Sequence, residues 1–430
     1  MKMKILPLML GACCALTTAV AHADAPLLRG RTPGAAFPFR NGDKVVFLGD
    51  SITEQRLYTT YIETYLLTRF PNWSLKFRNA GWGGDTSYLR TRGVPAREAL
   101  QRDVLALNPT IVTIDFGMND AGYGAFKPDL YCGHMDGQRA ILEQLQGAGV
   151  RPVMLSASAV EKNEAGDNMA GYNQTLEQFA AGDAALAAQA GVPFADQLHP
   201  FAAAINRLRS EGNGQRLSGD AVHPGPAGHL MMADFILSGL NAPSLVSSAT
   251  ISARRGGVLA TDGATIRDVA RNSDGVSFSR QDRALAFPIE ASARPVLQIV
   301  PVADDLNRYM LQVNDLEPGS YTVLVDGTPV THFSAAQLAL GVNLGYFASP
   351  LTAAGSQILS HVRAKNDLYF TLWRNVQLGK VAEADKPAQI AALAQKIADE
   401  ESAINALRHP AVFQFQIKRD VPPAAPATPA

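Results

Sequence analysis

The sequence predicts an α/β chain: a doubly wound parallel sheet, then a small β-sandwich-like unit, then C-terminal helices. Three changes of texture predict it. Short apolar runs alternate with longer amphipathic ones from about 43 to 243, period-2 alternation follows from 247 to 333, and a helical pattern returns from 334. Cores of that size are possible because 47% of the 430 residues are hydrophobic and only 18% are charged. That balance excludes a disordered, collagen-like or coiled-coil chain.

Within 43–243, the stretches 44–48, 75–78, 111–116, 153–156 and 192–195 read as strands. Val45-Val46-Phe47-Leu48 is apolar at successive positions, the mark of a strand covered on both faces. Helices are expected over 58–69, 88–107, 134–147, 170–190 and 227–240. Strands alternating with helices at this spacing give a parallel sheet with helices on both sides. In 247–333, Tyr309/Leu311/Val313 and Tyr321/Val323/Val325 alternate, and Asp262-Gly263 and Asp326-Gly327 read as hairpin turns of an antiparallel sandwich. In 387–407, Ile390, Leu393, Ile397, Ile404 and Leu407 form an apolar stripe too short for a coiled-coil dimer, so this helix is expected to pack on the chain's own body.

The ends carry their own signals. Lys2 and Lys4 precede an uncharged apolar stretch from Ile5, and Ala21-His22-Ala23 supplies a small-x-small cleavage site. Residues 1–23 therefore read as a signal peptide, with export to the periplasm or medium, and 24–42 as a lead-in. Removing 1–23 also removes Cys13 and Cys14 and leaves Cys132 alone, so no internal disulfide is expected. The region 421–430 is Pro/Ala-rich and reads as a disordered tail. No other segment is apolar enough to span a bilayer, so stable membrane insertion is not expected. A net charge of -1 lacks the basic footprint that nucleic acid requires.

Four segments carry chemistry. Gly49-Asp50-Ser51-Ile52-Thr53 follows the first strand, Asn79-Ala80-Gly81-Trp82-Gly83-Gly84-Asp85-Thr86 the second, and Gly117-Met118-Asn119-Asp120 the third. Asp220-Ala221-Val222-His223-Pro224 precedes the last helix. In a doubly wound sheet ligands bind beyond the carboxyl ends of the strands, so all four converge on one edge. A serine hydroxyl needs a base to take its proton. His223 supplies one, and Asp220 three residues earlier can hold the imidazole in the required tautomer. The backbone N–H groups of Ser51 and Gly84 and the amide of Asn119 can serve as oxyanion donors.

These residues resemble the SGNH (GDSL) hydrolase family, whose four letters name catalytic Ser, Gly, Asn and His. The resemblance matches the nucleophile to Ser51, the oxyanion glycine to Gly84, the oxyanion asparagine to Asn119, the base to His223 and its acid to Asp220. It covers about 43–241, with all blocks in order, and implies a flavodoxin-like sheet and a secreted bacterial esterase with a C-terminal extension. No Gly-x-Ser-x-Gly elbow is present, which argues against the α/β-hydrolase scaffold. The chemistry requires no metal or organic cofactor.

Bland roles are expected for the neighbours. Asp50, Asp85 and Thr86 read as helix N-caps and Asp120 as structural. Trp82 and Tyr123 are candidate stacking residues for a sugar ring. His229 lacks the companions a metal site would need, and His134, His199, His332, His361 and His409 show no pairing pattern. Export, the accessory unit and these aromatics favour an O-acetyl ester of a carbohydrate as substrate. A lipolytic or thioester-cleaving enzyme is the alternative, and a non-catalytic glycan-binding or envelope scaffold is the second. The C-terminal region is expected to pack on the catalytic unit rather than act as a carbohydrate-binding module.

Overall fold

The computed structural model describes residues 36–161, 166–167, 169–212 and 214–420. The expected signal peptide, most of the lead-in and the expected tail lie outside the described residues. The first unit runs β1 (Lys44–Gly49), α1 (Ser51–Glu54), α2 (Leu57–Arg69), β2 (Lys76–Gly81), α3 (Ala96–Asp103), β3 (Ile111–Asp115), α4 (Pro128–Gly147), β4 (Arg151–Leu155), α5 (Tyr172–Ala190), β5 (Phe194–Ala195), α6 (Leu198–Ser210) and α7 (Pro226–Gly239). Its five strands are all parallel, in the order β2-β1-β3-β4-β5. This is the doubly wound, flavodoxin-like sheet the sequence predicts. Alternate residues of β1 serve opposite faces: Val45 and Phe47 enter one core, Val46 and Leu48 the other. Because β1 lies between β2 and β3, the loops leaving these three strands are neighbours at one edge.

Two expectations within this unit change. The helix expected over 88–107 is only α3, because Leu89 and Gly93 adopt left-handed φ and Pro95 precedes the first turn. α6, which the sequence reading left out, buries Leu198, Phe201, Ala204, Ile205 and Leu208 on one face at helical spacing.

The chain continues through β6 (Leu245–Ser252), β7 (Gly257–Asp262), β8 (Ala264–Asn272), β9 (Gly275–Asp282), α8 (Val302–Leu306), β10 (Arg308–Asn314), β11 (Ser320–Val325), β12 (Thr328–Ser334), α9 (Ala335–Leu340), β13 (Val342–Asn343), α10 (Ala353–Phe370), α11 (Lys386–Leu407) and β14 (Val412–Arg419). Two sheets form, β13-β10-β6-β7 and β12-β11-β14-β9-β8, enclosing a third core. Asp326-Gly327 is a hairpin turn with both residues at positive φ. Asp262-Gly263 instead hands the chain from one sheet to the other. The sandwich is not wholly antiparallel, since β6 and β10 pair parallel. It also takes two strands from beyond 333, in the region read as helical: the short β13 pairs with β10, and β14 pairs with β9 and β11.

The C-terminal helices join the cores of the first unit. Ile358, Leu359, Val362 and Ile404 belong to one face of the parallel sheet, and Tyr369, Leu372, Trp373 and Ile397 to the other. α10 lies against α2, where Lys365 pairs with Glu63, both almost fully buried, and Asn366 Nδ2 donates to Glu63 Oε2 at 3.3 Å. The expected packing of 387–407 on the chain's own body is observed, with Ile397 and Ile404 buried.

Breaking that pair leaves an uncompensated buried carboxylate. Lys365→Ala is expected to lower unfolding stability by about 3–5 kcal/mol. The double variant Lys365→Met/Glu63→Gln should lose less. Urea unfolding of both checks this, and equal losses would show that charge burial is not the cause.

Candidate active site

Ser51, Gly84 and Asn119 lie just beyond the ends of β1, β2 and β3, and Asp220 and His223 in the loop between α6 and α7. Asp50 follows β1 with extended backbone, and its carboxylate accepts from the Ile52 N–H at 2.9 Å, the N-cap role expected of it. That cap turns the chain so that Ser51 opens α1 at the sheet edge. His223 lies in the loop before α7. Its Nε2 is 2.8 Å from Ser51 Oγ, and its Nδ1 is 2.6 Å from Asp220 Oδ2. Asp220 Oδ1 also accepts from the backbone N–H groups of Val222 and His223 at 3.0 and 2.8 Å. Slight burial would raise the Asp220 pKa, but these three donors outweigh it and hold the carboxylate down at about 2. Asp220 therefore stays anionic beside the imidazole throughout the neutral range.

The loop that carries this pair is held from a place the sequence did not reveal. Ala221 sits at φ +78, an unfavourable conformation for a residue with a Cβ. Its carbonyl accepts from the Glu161 N–H at 2.9 Å. The buried Glu161 carboxylate accepts from Leu217 N–H, Ser218 N–H and Ser218 Oγ at 3.1, 2.8 and 2.8 Å. One glutamate thus fixes both the approach to the loop and its strained residue.

Gly84 adopts φ +75 in the turn closed by Asp85 N–H to Trp82 O, a conformation that suits glycine. A side-chain carbon on its neighbour Gly83 would lie 4.0 Å from Ser51 Cβ, so this loop reaches the serine. Asn119 Nδ2 donates to Asp85 O at 2.8 Å, and Tyr123 Oη donates to Asn119 Oδ1 at 2.6 Å. The Asp85 carbonyl, which can only accept, fixes which end of the amide is nitrogen, and the tyrosine holds the oxygen end. The second Nδ2 hydrogen then remains to aim at a developing oxyanion. Ser51, Gly84, Asn119, Asp220 and His223 are all brought together.

The neighbours depart from expectation in instructive ways. Asp85 and Thr86 cap no helix, since α3 begins at Ala96. Asp85 is buried and bonds Arg92 Nε at 2.6 Å, while Arg92 Nη1 reaches Asp103 at 3.0 Å. Trp82 is not an open sugar platform: the Arg374 guanidinium lies 3.6 Å over its ring, Arg92 lies 5.4 Å away, and Trp373 meets it edge-on. Tyr123 is 40% exposed and stacks on Tyr172.

Asp120 is structural, as expected, but its partner His134 does have a pairing pattern. His134 is buried between Asp120 Oδ1 at 2.8 Å and Asp183 Oδ1 at 2.9 Å. Burial alone would depress its pKa; the two carboxylates reverse this and hold it up at about 10. His199, His332 and His361 also pair with carboxylates. His229 Nδ1 faces the Tyr58 N–H at 3.2 Å and Nε2 faces Gln55 Oε1 at 2.8 Å, so both nitrogens serve packing.

With the geometry in place, comparison with known proteins decides the family. The description "GDSL-like Lipase/Acylhydrolase family" matches residues 47–231. The chain carries an SGNH (GDSL-like) acylhydrolase domain. It is a carboxylic ester hydrolase of that type. An acetylxylan esterase from Geobacillus stearothermophilus is 26% identical over 215 residues, covering 45% of this SGNH chain and 91% of that protein. A solved structure of a gut microbial diltiazem-metabolizing enzyme covers 90% of this chain and 99% of its own, with TM-score 0.76 and 24% identity. The likeness in fold therefore extends across the sandwich and the C-terminal helices. A catalytic mutant of the Geobacillus stearothermophilus acetylxylan esterase covers 48% of this chain and 97% of its own, at 21% identity and TM-score 0.39.

Two predictions follow from the SGNH site. Tyr123→Phe removes one hydrogen bond from Asn119, and kcat is expected to fall roughly three- to tenfold with KM little changed. Unchanged kcat in steady-state assays would show that Asn119 is oriented without it. The second concerns Asp115 beneath the site. Burial pushes its carboxyl up to about 7, against the opposing hydrogen bonds of Tyr58 and Gln197. Because the folded pKa is raised, the contribution to stability is fully present below about pH 4, the unfolded value, and is lost as pH rises through about 7. Melting curves from pH 4 to 8 should show wild type losing stability relative to Asp115→Asn; parallel curves would overturn this.

Proposed function

We propose that the protein is a serine esterase that removes short acyl groups, O-acetyl above all, from carbohydrate. The observation that carries the mechanism is the continuous chain Ser51 Oγ, His223, Asp220 at 2.8 and 2.6 Å. Ser51 Oγ attacks the ester carbonyl carbon as its proton passes to His223 Nε2. Negative charge on the carbonyl oxygen is met by the N–H groups of Ser51 and Gly84 and by Asn119 Nδ2; removing one such donor typically lowers kcat about 10²–10³-fold. The carbon–oxygen bond to the alcohol breaks, and His223 returns its proton to the departing oxygen. Water then attacks the acyl-serine, giving a proton to His223, and the acid leaves as Ser51 regains its hydrogen. Asp220 stabilises the imidazolium in both halves.

The acetyl-carbohydrate part rests on the 26% identity to a protein named acetylxylan esterase, and on an open site in which Gly84 and Asp220 are exposed. We also propose export, on the N-terminal sequence alone. One observation favours the lipolytic or thioester alternative. A cavity of about 720 Å³ between α3 and α4 is lined in part by Tyr88 and Leu89, a few residues past Gly84, and by Leu100 and Ile141, and could take an acyl chain.

Hydrolysis of p-nitrophenyl esters of increasing acyl length, with Ser51→Ala beside the wild type, separates these readings. Activity confined to acetate and propionate and lost in the variant is expected. A preference for longer chains would overturn the acetyl assignment, and full activity in Ser51→Ala would overturn the mechanism.

A further inference from the structure

We infer that Arg374, contributed by the C-terminal region, is a positioning residue for the esterase reaction, holding the turn that carries Ser51 against the loop that carries Gly84. The inference rests on the serine-esterase reading above and adds to it a residue far outside the matched segment 47–231.

α10 does not end at Phe370 but continues as a π-helical segment, Thr371–Gln377, in which Leu378 N–H reaches Trp373 O at 3.0 Å, five residues back. Such widened turns often mark functional positions. Here the segment delivers Arg374 to the edge of the parallel sheet. Its Nη1 bonds Glu54 Oε1 at 2.8 Å, and its guanidinium lies 3.6 Å over the Trp82 ring. Glu54 is the last residue of α1, the turn that Ser51 opens. Trp82 lies two residues before Gly84. The other oxygen of Glu54 lies 2.7 Å from where a side chain on Gly83 would begin, so the carboxylate passes directly over the oxyanion loop. Arg374 therefore grips both parts of the machinery at once, through charge on one side and an aromatic face on the other.

A second arginine, Arg56 between α1 and α2, ties the same turn to α10. Arg56, at φ +62, donates to Glu54 O at 2.8 Å. It pairs with Asp367 at 3.1 Å and lies 4.4 Å over Phe370. The relative placement of nucleophile and oxyanion donors thus depends on residues more than 300 positions after Ser51. Positioning of this kind is felt in the transition state more than in substrate binding.

The test uses the full chain with p-nitrophenyl acetate. Arg374→Ala is expected to lower kcat about tenfold with KM within about twofold. Arg374→Lys, which keeps the charge but loses the planar stack, should fall between, and millimolar guanidinium should restore part of the Arg374→Ala activity. Glu54→Gln, which leaves the stacking side chains in place, should also lower kcat and serves if Arg374→Ala does not fold. Wild-type kcat in Arg374→Ala or in Glu54→Gln would overturn the inference. So would a loss that guanidinium does not relieve and that Arg374→Lys shares in full. Ser51→Ala run alongside separates the two claims: if it remains active the esterase reading fails, whereas an inactive Ser51→Ala beside an unimpaired Arg374→Ala sinks only the positioning role.

Discussion

Asp120 is buried at the end of the third strand and accepts from Gly117 N–H at 3.1 Å, Ser87 N–H at 2.8 Å, Ser87 Oγ at 2.6 Å and His134 at 2.8 Å. Through these bonds the loops after β2 and β3, which bear Gly84 and Asn119, become one body. An anion removed from water requires a compensating charge, and the imidazolium of His134 supplies it. Burial would raise the Asp120 pKa, but His134 and Ser87 hold the carboxyl below its ordinary range. Burial pushes Asp183, on the far side of the ring, above its own range. Loops have no ladder of backbone bonds to fix them, so their geometry comes from such buried side-chain networks.

The same logic repeats around the edge. Arg92 joins Asp85 to Asp103, Glu161 holds the Asp220–His223 loop, and Arg374 joins α1 to the Trp82 loop. Each fixes a segment whose own conformation is irregular or strained. The segment 285–306 and the C-terminal helices belong to this arrangement, because the segment's apolar residues enter one core of the parallel sheet and those of the helices enter both.

How much of this was legible in the sequence depended on whether the signal was local. The strands were visible because a strand buried on both faces is apolar at successive positions, and the chemistry was visible because three of its four segments follow a strand end. Asp-x-x-His shows the limit. It occurs twice, at Asp196–His199 and Asp220–His223, with the same 2.6 Å bond to Nδ1. Only in the second does the histidine meet a serine; the first opens α6, where Asp196 accepts from the Leu198 N–H. The partners of His134 lie 14 and 49 residues away, and Glu161 acts on a loop 56 residues later. No periodicity reports such pairs. The strand β14 was missed for a different reason. Phe413, Phe415 and Ile417 do alternate with polar residues, but a helical reading of everything after 333 absorbed them.

The place of β14 governs the order in which the chain can be completed. It is the central strand of its sheet, with β9 on one side and β11 on the other, although it is the last strand of the described residues. Until residues 412–419 have been synthesised, β9 and β11 face a gap, each with an unpaired edge of the kind that recruits other strands. The parallel sheet has all five of its strands more than two hundred residues earlier. A chain emerging from its N-terminus can therefore form its catalytic sheet while the sandwich still waits for its middle strand.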